Sequence, residues 1–209
     1  MKIAFDIGAN IGQTVDELLP NYDKIICFEP NPNLVSALKN KFINNSKVVI
    51  EDLGLSDKSG VKIFNISNSH VVSTFSDDWI KNSRFTGVYN WDTTISVTTT
   101  TLDDAIRKYG VPYFIKVDVE GYEYEVFLGL TKLLENTYFA FEWAEEQYER
   151  INKTINYLTK LGYNNFSYTY EDKLLQIENI QWNKWDELTI HDDINEYRKE
   201  KWGMIYFKK

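Results

Sequence analysis

A carboxylic acid stands at or near the end of each of the first three apolar runs of the chain. Asp6 lies in IAFDIG, Glu29 in KIICFEP and Asp52 in KVVIED. An ionised carboxylate attracts cations, and its two oxygens can accept hydrogen bonds from a pair of neighbouring hydroxyl groups. If the three runs are neighbouring parallel strands, their acids share one edge of a sheet and can hold a cationic ligand that carries hydroxyl groups.

Two glycines follow the first acid, in FDIGANIG at residues 5–12. A strand that turns at Gly8 and opens a helix after Gly12 presents backbone N–H groups and the positive end of a helix to a ligand. A dinucleotide fingerprint would place its second glycine at residue 10, where the backbone approaches the pyrophosphate, but this chain has Asn10. The turn therefore disfavours a dinucleotide-dependent oxidoreductase, although the sheet and Glu29 would suit one.

S-adenosylmethionine has cationic groups, a ribose and no phosphate, and it suits the same edge of the sheet. Asp6 is predicted to face the cationic parts of this cofactor, and Glu29 to accept both ribose hydroxyls. Asp52 is predicted to reach the adenine amino group, with the Leu53 backbone beside the ring. Three acids that close three successive strands are more specific for this cofactor than the glycines alone.

Alternating strands and helices position these acids. Apolar runs predict strands at 3–8, 24–30 and 47–52, and helical spacing predicts helices at 11–19 and 33–42. This rhythm implies an α/β fold with a mostly parallel sheet. The pattern then predicts a strand, a helix, a strand and a helix at 113–121, 124–134, 138–143 and 146–162. YNNFSYTY and MIYF near the end predict an antiparallel pair at the sheet edge.

Residues 54–95 interrupt this rhythm. GLSDKSGVKIFNIS predicts a hairpin that turns at residues 58–60, and the polar, aromatic stretch after it has no clear period. A stretch that long without regular structure is typical of a functional lid. We therefore expect a single domain over residues 1–209, in which 54–95 form a hairpin and loop insertion that builds part of the site.

Composition narrows the class of protein. The 209 residues, 43% of them hydrophobic, fit one globular domain. A net charge of −8 disfavours a nucleic-acid partner, since such binders rely on clustered Lys and Arg. No apolar run is long enough for a transmembrane helix or resembles a signal peptide, which predicts a cytoplasmic protein. The single cysteine, Cys27, lies in an apolar strand and is expected to be buried and structural.

The motifs, in their order, resemble those of one enzyme family. FDIGANIGQT, FEPNP, GLSDKSG, TLDD and IKVDVEGYEYEVFLG, within residues 3–143, closely resemble the FkbM-type methyltransferases, a branch of the class I S-adenosylmethionine-dependent enzymes. The resemblance implies a Rossmann-like, doubly wound fold with seven strands, methyl transfer to an oxygen, and often a sugar hydroxyl as the acceptor. Members often carry a segment before the first strand, so this chain is either a minimal enzyme or one domain of a longer polypeptide with an N-terminal partner domain.

The resemblance also implies roles for single residues. It assigns the cofactor turn to Asp6, Gly8, Asn10 and Gly12, the ribose acid to Glu29, and the acid beside the donor methyl group to Asp118. Ala9, Gln13 and Pro30 complete the predicted cofactor-binding set. A non-catalytic cofactor-binding module is an alternative, as is transfer to a hydroxyl of another small molecule or of a nucleic acid.

Methyl transfer to a hydroxyl also needs a group that takes the proton. Asp118 and Glu120, in KVDVEG, stand at the carboxyl end of a central strand, and the strand period of two puts both acids on one face. Asp118 is the first candidate for the group that takes the proton. The equally weighted alternative is that it positions the cofactor and takes no proton. Glu142, which closes the next strand, is expected to bind acceptor hydroxyls or to anchor a helix end. A magnesium ion could share these three acids, but we predict no metal.

The predicted lid contains further candidates. His70, in NSHVVSTF, has an ordinary pKa that suits a base near neutral pH, although a lone loop histidine is more often only solvated. His191, in the polar tail, is a weaker candidate. Trp79, Tyr89 and Trp91 could stack on a sugar or form local core. The predicted partner is therefore a sugar or glycoconjugate acceptor.

Overall fold

The computed structural model describes residues 1–170, 174–187 and 201–209. Its main sheet has seven strands in the order β3-β2-β1-β7-β8-β10-β9. The five strands from β3 to β8 in that order are parallel, and β10 runs antiparallel to both β8 and β9. These strands are β1 (Ile3–Ile7), β2 (Lys24–Phe28), β3 (Val48–Glu51), β7 (Phe114–Val117), β8 (Tyr138–Ala144), β9 (Asn165–Tyr168) and β10 (Trp202–Lys208). The predicted mostly parallel sheet with an antiparallel C-terminal edge is confirmed.

The described residues contain six α-helices. They are α1 (Gln13–Leu18), α2 (Pro32–Lys41), α3 (Asp77–Asn82), α4 (Leu102–Tyr109), α5 (Glu123–Leu128) and α6 (Tyr148–Leu161). The predicted helix at 124–134 is shorter, because α5 ends at Leu128. Gly129 follows it and packs so closely that a Cβ there would overlap the Ser56 carbonyl oxygen. The predicted strand at 113–121 ends at Val117, because Glu120 and Gly121 have positive φ angles and turn the chain.

A second sheet, of three strands, corrects the predicted hairpin. Its order is β4-β6-β5, with β4 at Gly54–Leu55, β5 at Gly60–Ile66 and β6 at Thr93–Thr100. The two runs on either side of residues 58–60 therefore do not pair with each other, because β6 lies between them. β5 pairs antiparallel with β6 over its whole length, whereas β4 has only two residues and runs parallel to β6. β5 therefore pairs with the longer strand β6 and not with the two-residue strand β4 across the turn.

The core lies on both faces of the main sheet, as expected for parallel strands covered by helices. One face carries an aromatic cluster in which Phe139 and Phe207 stack with ring centroids 4.4 Å apart. The other face includes Cys27, which is buried as predicted. None of the described helices is both long and apolar enough to cross a membrane.

The strand order reverses at β1, which has β2 on one side and β7 on the other. Connections from neighbouring strands leave in opposite directions at such a point, and this opens a crevice beyond the carboxyl ends of the strands. Most of the predicted cofactor residues line this crevice.

Candidate functional site: a cleft at the carboxyl ends of the strands

An open cleft with a cavity volume of about 170 Å³ occupies this crevice. Most of the predicted site residues line it: Gly8, Ala9, Asn10, Gln13, Glu29, Pro30, His70, Asp118, Glu120 and Glu142. Four predicted cofactor residues, Asp6, Gly12, Asp52 and Leu53, are not among the lining residues. The cleft thus joins the glycine turn to the acids of β7 and β8.

Gly8 makes the first wall of the cleft possible. It has a φ of +83°, and a Cβ at this position would overlap the carbonyl oxygen of Asp118. Only glycine lets β1 turn so close to the end of β7. The N–H groups of Gly8 and Ala9 both donate to the Phe28 carbonyl, over 3.0 and 3.2 Å. The expectation that the turn offers free N–H groups is therefore wrong for these two amides, because the end of β2 already accepts from them.

Gly12 has a different reason for being glycine. Its φ is +78°, and a Cβ there would overlap the side chains of Leu38 and Phe42, in the last turn and at the end of α2. Gly12 therefore allows α1 to pack against α2, and the motif spacing could not distinguish this packing role from a ligand contact.

Glu29 is the acid that faces the cleft at the end of β2. Its two oxygens accept from the N–H groups of Asn10, at 2.9 Å, and Asn31, at 2.8 Å. The side chain is 4% exposed. Burial raises the pKa of Glu29 to about 7, although the two backbone hydrogen bonds act in the opposite direction. The carboxylate is thus held in one orientation, and each oxygen has a further lone pair for a ligand hydroxyl.

Asp52 lies away from the cleft. Its side chain is 71% exposed and pairs with Lys39 at 3.6 Å. Leu53 is half-buried and packs against the core of the main sheet. The strand pattern places Asp52 correctly just after β3, but the chain turns there and carries the carboxylate toward solvent.

Lys116, a buried lysine of β7 that was not predicted from the sequence, pairs with one of the acids of the cleft. Lys116 Nζ donates to Asp118 Oδ2 over 2.7 Å. Asp6 stands in register with Lys116 on the neighbouring strand β1 and is fully buried. Burial raises the pKa of Asp6 to about 6, against the attraction of Lys116. The alternation K-x-D-x-E in KVDVEG was the sequence signal that could have identified Lys116.

Asp118, Glu120 and Glu142 bring their carboxylate oxygens within 4.8 Å of one another. The sequence predicted this proximity for Asp118 and Glu120 from strand periodicity, but the structure achieves it through a turn in which Glu120 has a φ of +55°. Glu123 holds that turn by accepting from the N–H groups of Val119 and Gly121. Acid clusters of this kind are common without a metal, and the Lys116 ammonium already binds one member.

The segment before α3 covers the cleft. His70 Nδ1 lies 2.7 Å from Asn10 Oδ1. An amide oxygen accepts, so a hydrogen bond here requires a proton on Nδ1, and in that tautomer of the neutral ring Nε2 is an acceptor. The Thr74 hydroxyl donates to the Glu120 carbonyl over 2.7 Å. These two contacts attach the segment to the glycine turn on one side and to the turn after β7 on the other.

The predicted aromatic residues do not line the cleft. Trp79 is 1% exposed and packs against Phe85, so no face of its ring is available to a sugar. Tyr89 also packs against Phe85, and the Trp91 indole donates to the Val72 carbonyl over 2.8 Å. All three serve the internal packing of the insertion. His191 lies outside the described residues.

The charges of the cleft suit a cationic ligand. Among the described residues that line it, four acids face a single lysine: Glu29, Asp118, Glu120 and Glu142 against Lys116. A pyrophosphate would be repelled by this arrangement, whereas a sulfonium and an amino group would be attracted. Glu29 supplies the acceptor that a ribose diol needs, so the residues present fit S-adenosylmethionine.

Comparisons with known proteins agree with this fit. The family model of the methyltransferase FkbM domain matches residues 6–164. The hexuronic acid methyltransferase AglP of Haloferax volcanii is 29% identical over 146 residues, which are 66% of this chain and 54% of that protein. The chain thus spans about half the length of this curated relative.

Solved structures share the fold. The methyltransferase FkbM from Methylobacillus flagellatus KT superposes with a TM-score of 0.58 at 13% identity, over 99% of this chain and 43% of that chain. A precorrin-6y C5,15-methyltransferase from Geobacter metallireducens gives 0.52 at 10% identity, over 100% and 80% of the two chains. Identities this low show the fold alone, whereas the family model covers most of the sequence. The chain therefore belongs to the FkbM family of S-adenosylmethionine-dependent methyltransferases.

Proposed function

We propose that the protein methylates a hydroxyl group of a sugar or glycoconjugate. The observation that carries this proposal is the position of Asp118, Glu120 and Glu142, whose carboxylates lie together in the same cleft as Glu29. One half of the cleft then holds the donor, and the other half presents acceptors to a hydroxyl proton. The family membership supports methyl transfer, and the named activity of the Haloferax volcanii relative supports a sugar acceptor.

The donor half consists of the glycine turn and the end of β2. Bound S-adenosylmethionine supplies an electrophilic methyl group. Glu29 accepts the ribose hydroxyls, while Gly8, Ala9 and Asn10 form the wall beside them. Asp6 and Lys116 lie below this wall and set the charge of the floor. Since these residues are fixed by strands, the chain's own contribution here is orientation.

The acceptor half needs a group that takes a proton from the attacking hydroxyl. Asp118 occupies the methyl side in our assignment, and Glu142, one strand further, binds or orients the acceptor. His70 is the alternative base, because its Nε2 is left as an acceptor by the bond between Nδ1 and Asn10. Residues 54–95 shape the acceptor side in this proposal, and its apolar lining residues include Val71 and Phe75.

The experiment is a transfer assay on the full chain with methyl-labelled S-adenosylmethionine. The acceptor panel contains oligosaccharides with hexuronic acids, neutral sugars or amino sugars, together with an RNA. Each reaction is run with and without a chelator. We expect label on a sugar, in a form that withstands mild alkali, because an ether survives conditions that hydrolyse a methyl ester.

Other outcomes contradict specific parts of the proposal. Label that alkali removes would indicate methylation of a carboxyl group instead of a hydroxyl. Tight cofactor binding with no transfer to any acceptor would favour a non-catalytic binding module. Label on RNA would overturn the sugar assignment, which the net charge of −8 supports. Asp118→Asn is the control variant, in which the cleft loses one carboxylate.

A further inference from the structure

A buried ammonium group lies directly behind the acids of the acceptor half. Lys116 is 7% exposed, and it is the only lysine or arginine among the described residues that line the cleft. It stands in the central strand β7, opposite Asp6 of β1 and Ala140 of β8. A buried charge is costly unless it is paired, so the groups around Lys116 show what it is for.

Two acids share the charge of Lys116, and they do so differently. Asp118 accepts a direct hydrogen bond of 2.7 Å on Oδ2. Asp6 lies in register on the same face of the sheet, and neither of its oxygens has a hydrogen-bond partner among the described residues. The ammonium therefore binds the acid that lines the cleft and only attracts the acid beneath it.

Lys116 is not a proton acceptor. Burial acts to lower its pKa, but the charges of Asp118 and Asp6 outweigh burial and raise the pKa above its ordinary value. The side chain stays protonated at neutral pH. Its contribution must therefore be charge and orientation.

We propose that Lys116 is a positioning residue for methyl transfer, which fixes the Asp118 carboxylate through Oδ2 and so directs Oδ1 toward the methyl end of the cleft. The two residues are two apart at the end of one strand, a spacing that puts both side chains on one face. Without the ammonium, Asp118 would face the neighbouring carboxylates of Glu120 and Glu142 with no lysine or arginine left among the described residues that line the cleft. This inference rests on the proposed function, which places Asp118 beside the methyl group.

The test observes Asp118 through the cofactor and needs no acceptor. The probe is S-adenosylmethionine labelled with ¹³C in its methyl group, and the measurement is the methyl resonance in complexes with four variants and the wild type. The variants are Lys116→Met, Lys116→Arg, Asp118→Asn and the double variant Lys116→Met with Asp118→Asn. A methyl resonance responds to the charge and position of a nearby carboxylate, which a purely structural role of Lys116 would not alter.

We expect Asp118→Asn to displace the resonance, and Lys116→Met to cause at least half of that displacement. Lys116→Arg keeps the charge and should return the resonance toward the wild-type position. The double variant should resemble Asp118→Asn alone, because residues that act through one another are not additive. Affinity for S-adenosylhomocysteine is measured by calorimetry for each variant, so that every resonance is recorded with the protein saturated by the cofactor.

Two results would overturn the inference, and they differ in meaning. If Asp118→Asn displaces the resonance but Lys116→Met does not, Lys116 does not position Asp118. If neither substitution displaces it, Asp118 is not at the methyl side, and the assignment in the proposed function fails with the inference. Lys108→Met is the matched control, since Lys108 forms a 2.7 Å pair with Glu51 outside the cleft. If Lys116→Met does not fold, Lys116→Gln replaces it.

Discussion

The two halves of the cleft are built by different means. On the donor side, backbone groups hold backbone groups: the amides of Gly8 and Ala9 bond to the Phe28 carbonyl, and the Asp118 amide bonds to the Ile7 carbonyl over 3.0 Å. On the covering side, side chains make the contacts with the cleft walls: His70 with Asn10, Thr74 with the Glu120 carbonyl, and Phe75 with the Tyr122 ring. The main chain thus fixes the glycine turn and the strand ends, whereas the contacts between the cover and the cleft walls depend on individual side chains and are easier to break locally.

A substitution at Gly8 should have the largest effect, because it disturbs the backbone of the donor side. Gly8→Ala places a methyl group against the Asp118 carbonyl at a φ of +83°. We expect a loss of about 3 to 4 kcal/mol in the free energy of unfolding, from overpacking together with an unfavourable backbone conformation. Denaturant unfolding measures it, and calorimetry should detect no binding of S-adenosylhomocysteine. Gly60→Ala is the control, because nothing lies within 4 Å of a Cβ there. Equal stability of the two variants would contradict the close approach.

Glu29→Gln leaves the fold in place and removes an acceptor from the donor side. The amide keeps one oxygen, so one of the N–H groups of Asn10 and Asn31 loses its partner, and the ribose diol loses a charged acceptor. We expect affinity for S-adenosylhomocysteine at pH 8 to fall about 30-fold to 100-fold, or about 2 to 3 kcal/mol. Calorimetry gives the value.

Asp52→Asn is the matched control for that variant. Its carboxylate is exposed and outside the cleft lining. Affinity should stay within about twofold of the wild type, since exposed charges are screened by solvent. A large loss in Asp52→Asn would return this residue to the adenine site that the sequence predicts for it.

The donor side should also respond to pH. Burial raises the pKa of Glu29 to about 7, and hydroxyl groups that donate to it favour the ionised form. Binding should then release a proton, and affinity should rise about tenfold from pH 6 to pH 8 and level off above. The free chain should show the opposite trend from Glu29, because a buried carboxyl with a raised pKa loses stability as pH rises through that value. Calorimetry in buffers with different ionisation enthalpies measures the proton, and Glu29→Gln should release none.

The covering side should yield the smallest effect. His70→Ala removes the bond to Asn10, which is worth about 0.7 kcal/mol for an exposed neutral pair, or about a threefold change. We expect S-adenosylhomocysteine to dissociate faster by that factor in stopped-flow fluorescence, with an unchanged unfolding midpoint. Ser69→Ala, one residue earlier, should behave like the wild type. A loss as large as that of Glu29→Gln would mean that His70 contacts the ligand directly.

Sequence reasoning chose mostly residues that line the cleft, because their positions in the chain follow from short-range rules. Gly8 needs a positive φ and Glu29 closes an apolar strand, and both features are visible in a few neighbouring residues. The same rules gave Gly12 a ligand role, since spacing cannot reveal that Phe42 and Leu38 lie against it. They also missed Lys116, although the alternation in KVDVEG is local; that its ammonium lies beside Asp6, 110 positions earlier, becomes visible only when β1 and β7 pair.

The strand pairing of the second sheet could not be predicted from the sequence, for a related reason. A turn signal at residues 58–60 is local, but the partner of β5 is β6, which begins at Thr93. Pairing at that separation is decided by the length and burial of the competing strands, which composition does not report. Trp79 shows the same limit, because an aromatic residue in an irregular stretch is apolar enough for either a sugar or a core, and the structure buries it.

Because Cys27 is buried, movement of the cover can be followed with a fluorophore on an introduced cysteine. Cys27 is the only cysteine of the chain, it lies inside the sheet, and burial raises the pKa of its thiol, so it should resist alkylating dyes. A cysteine introduced at Ser69 would then be the single reactive thiol and would carry a fluorophore beside His70. The native chain is thus already a background for single-site labelling, in which opening of the cover could be timed as the cofactor enters and leaves.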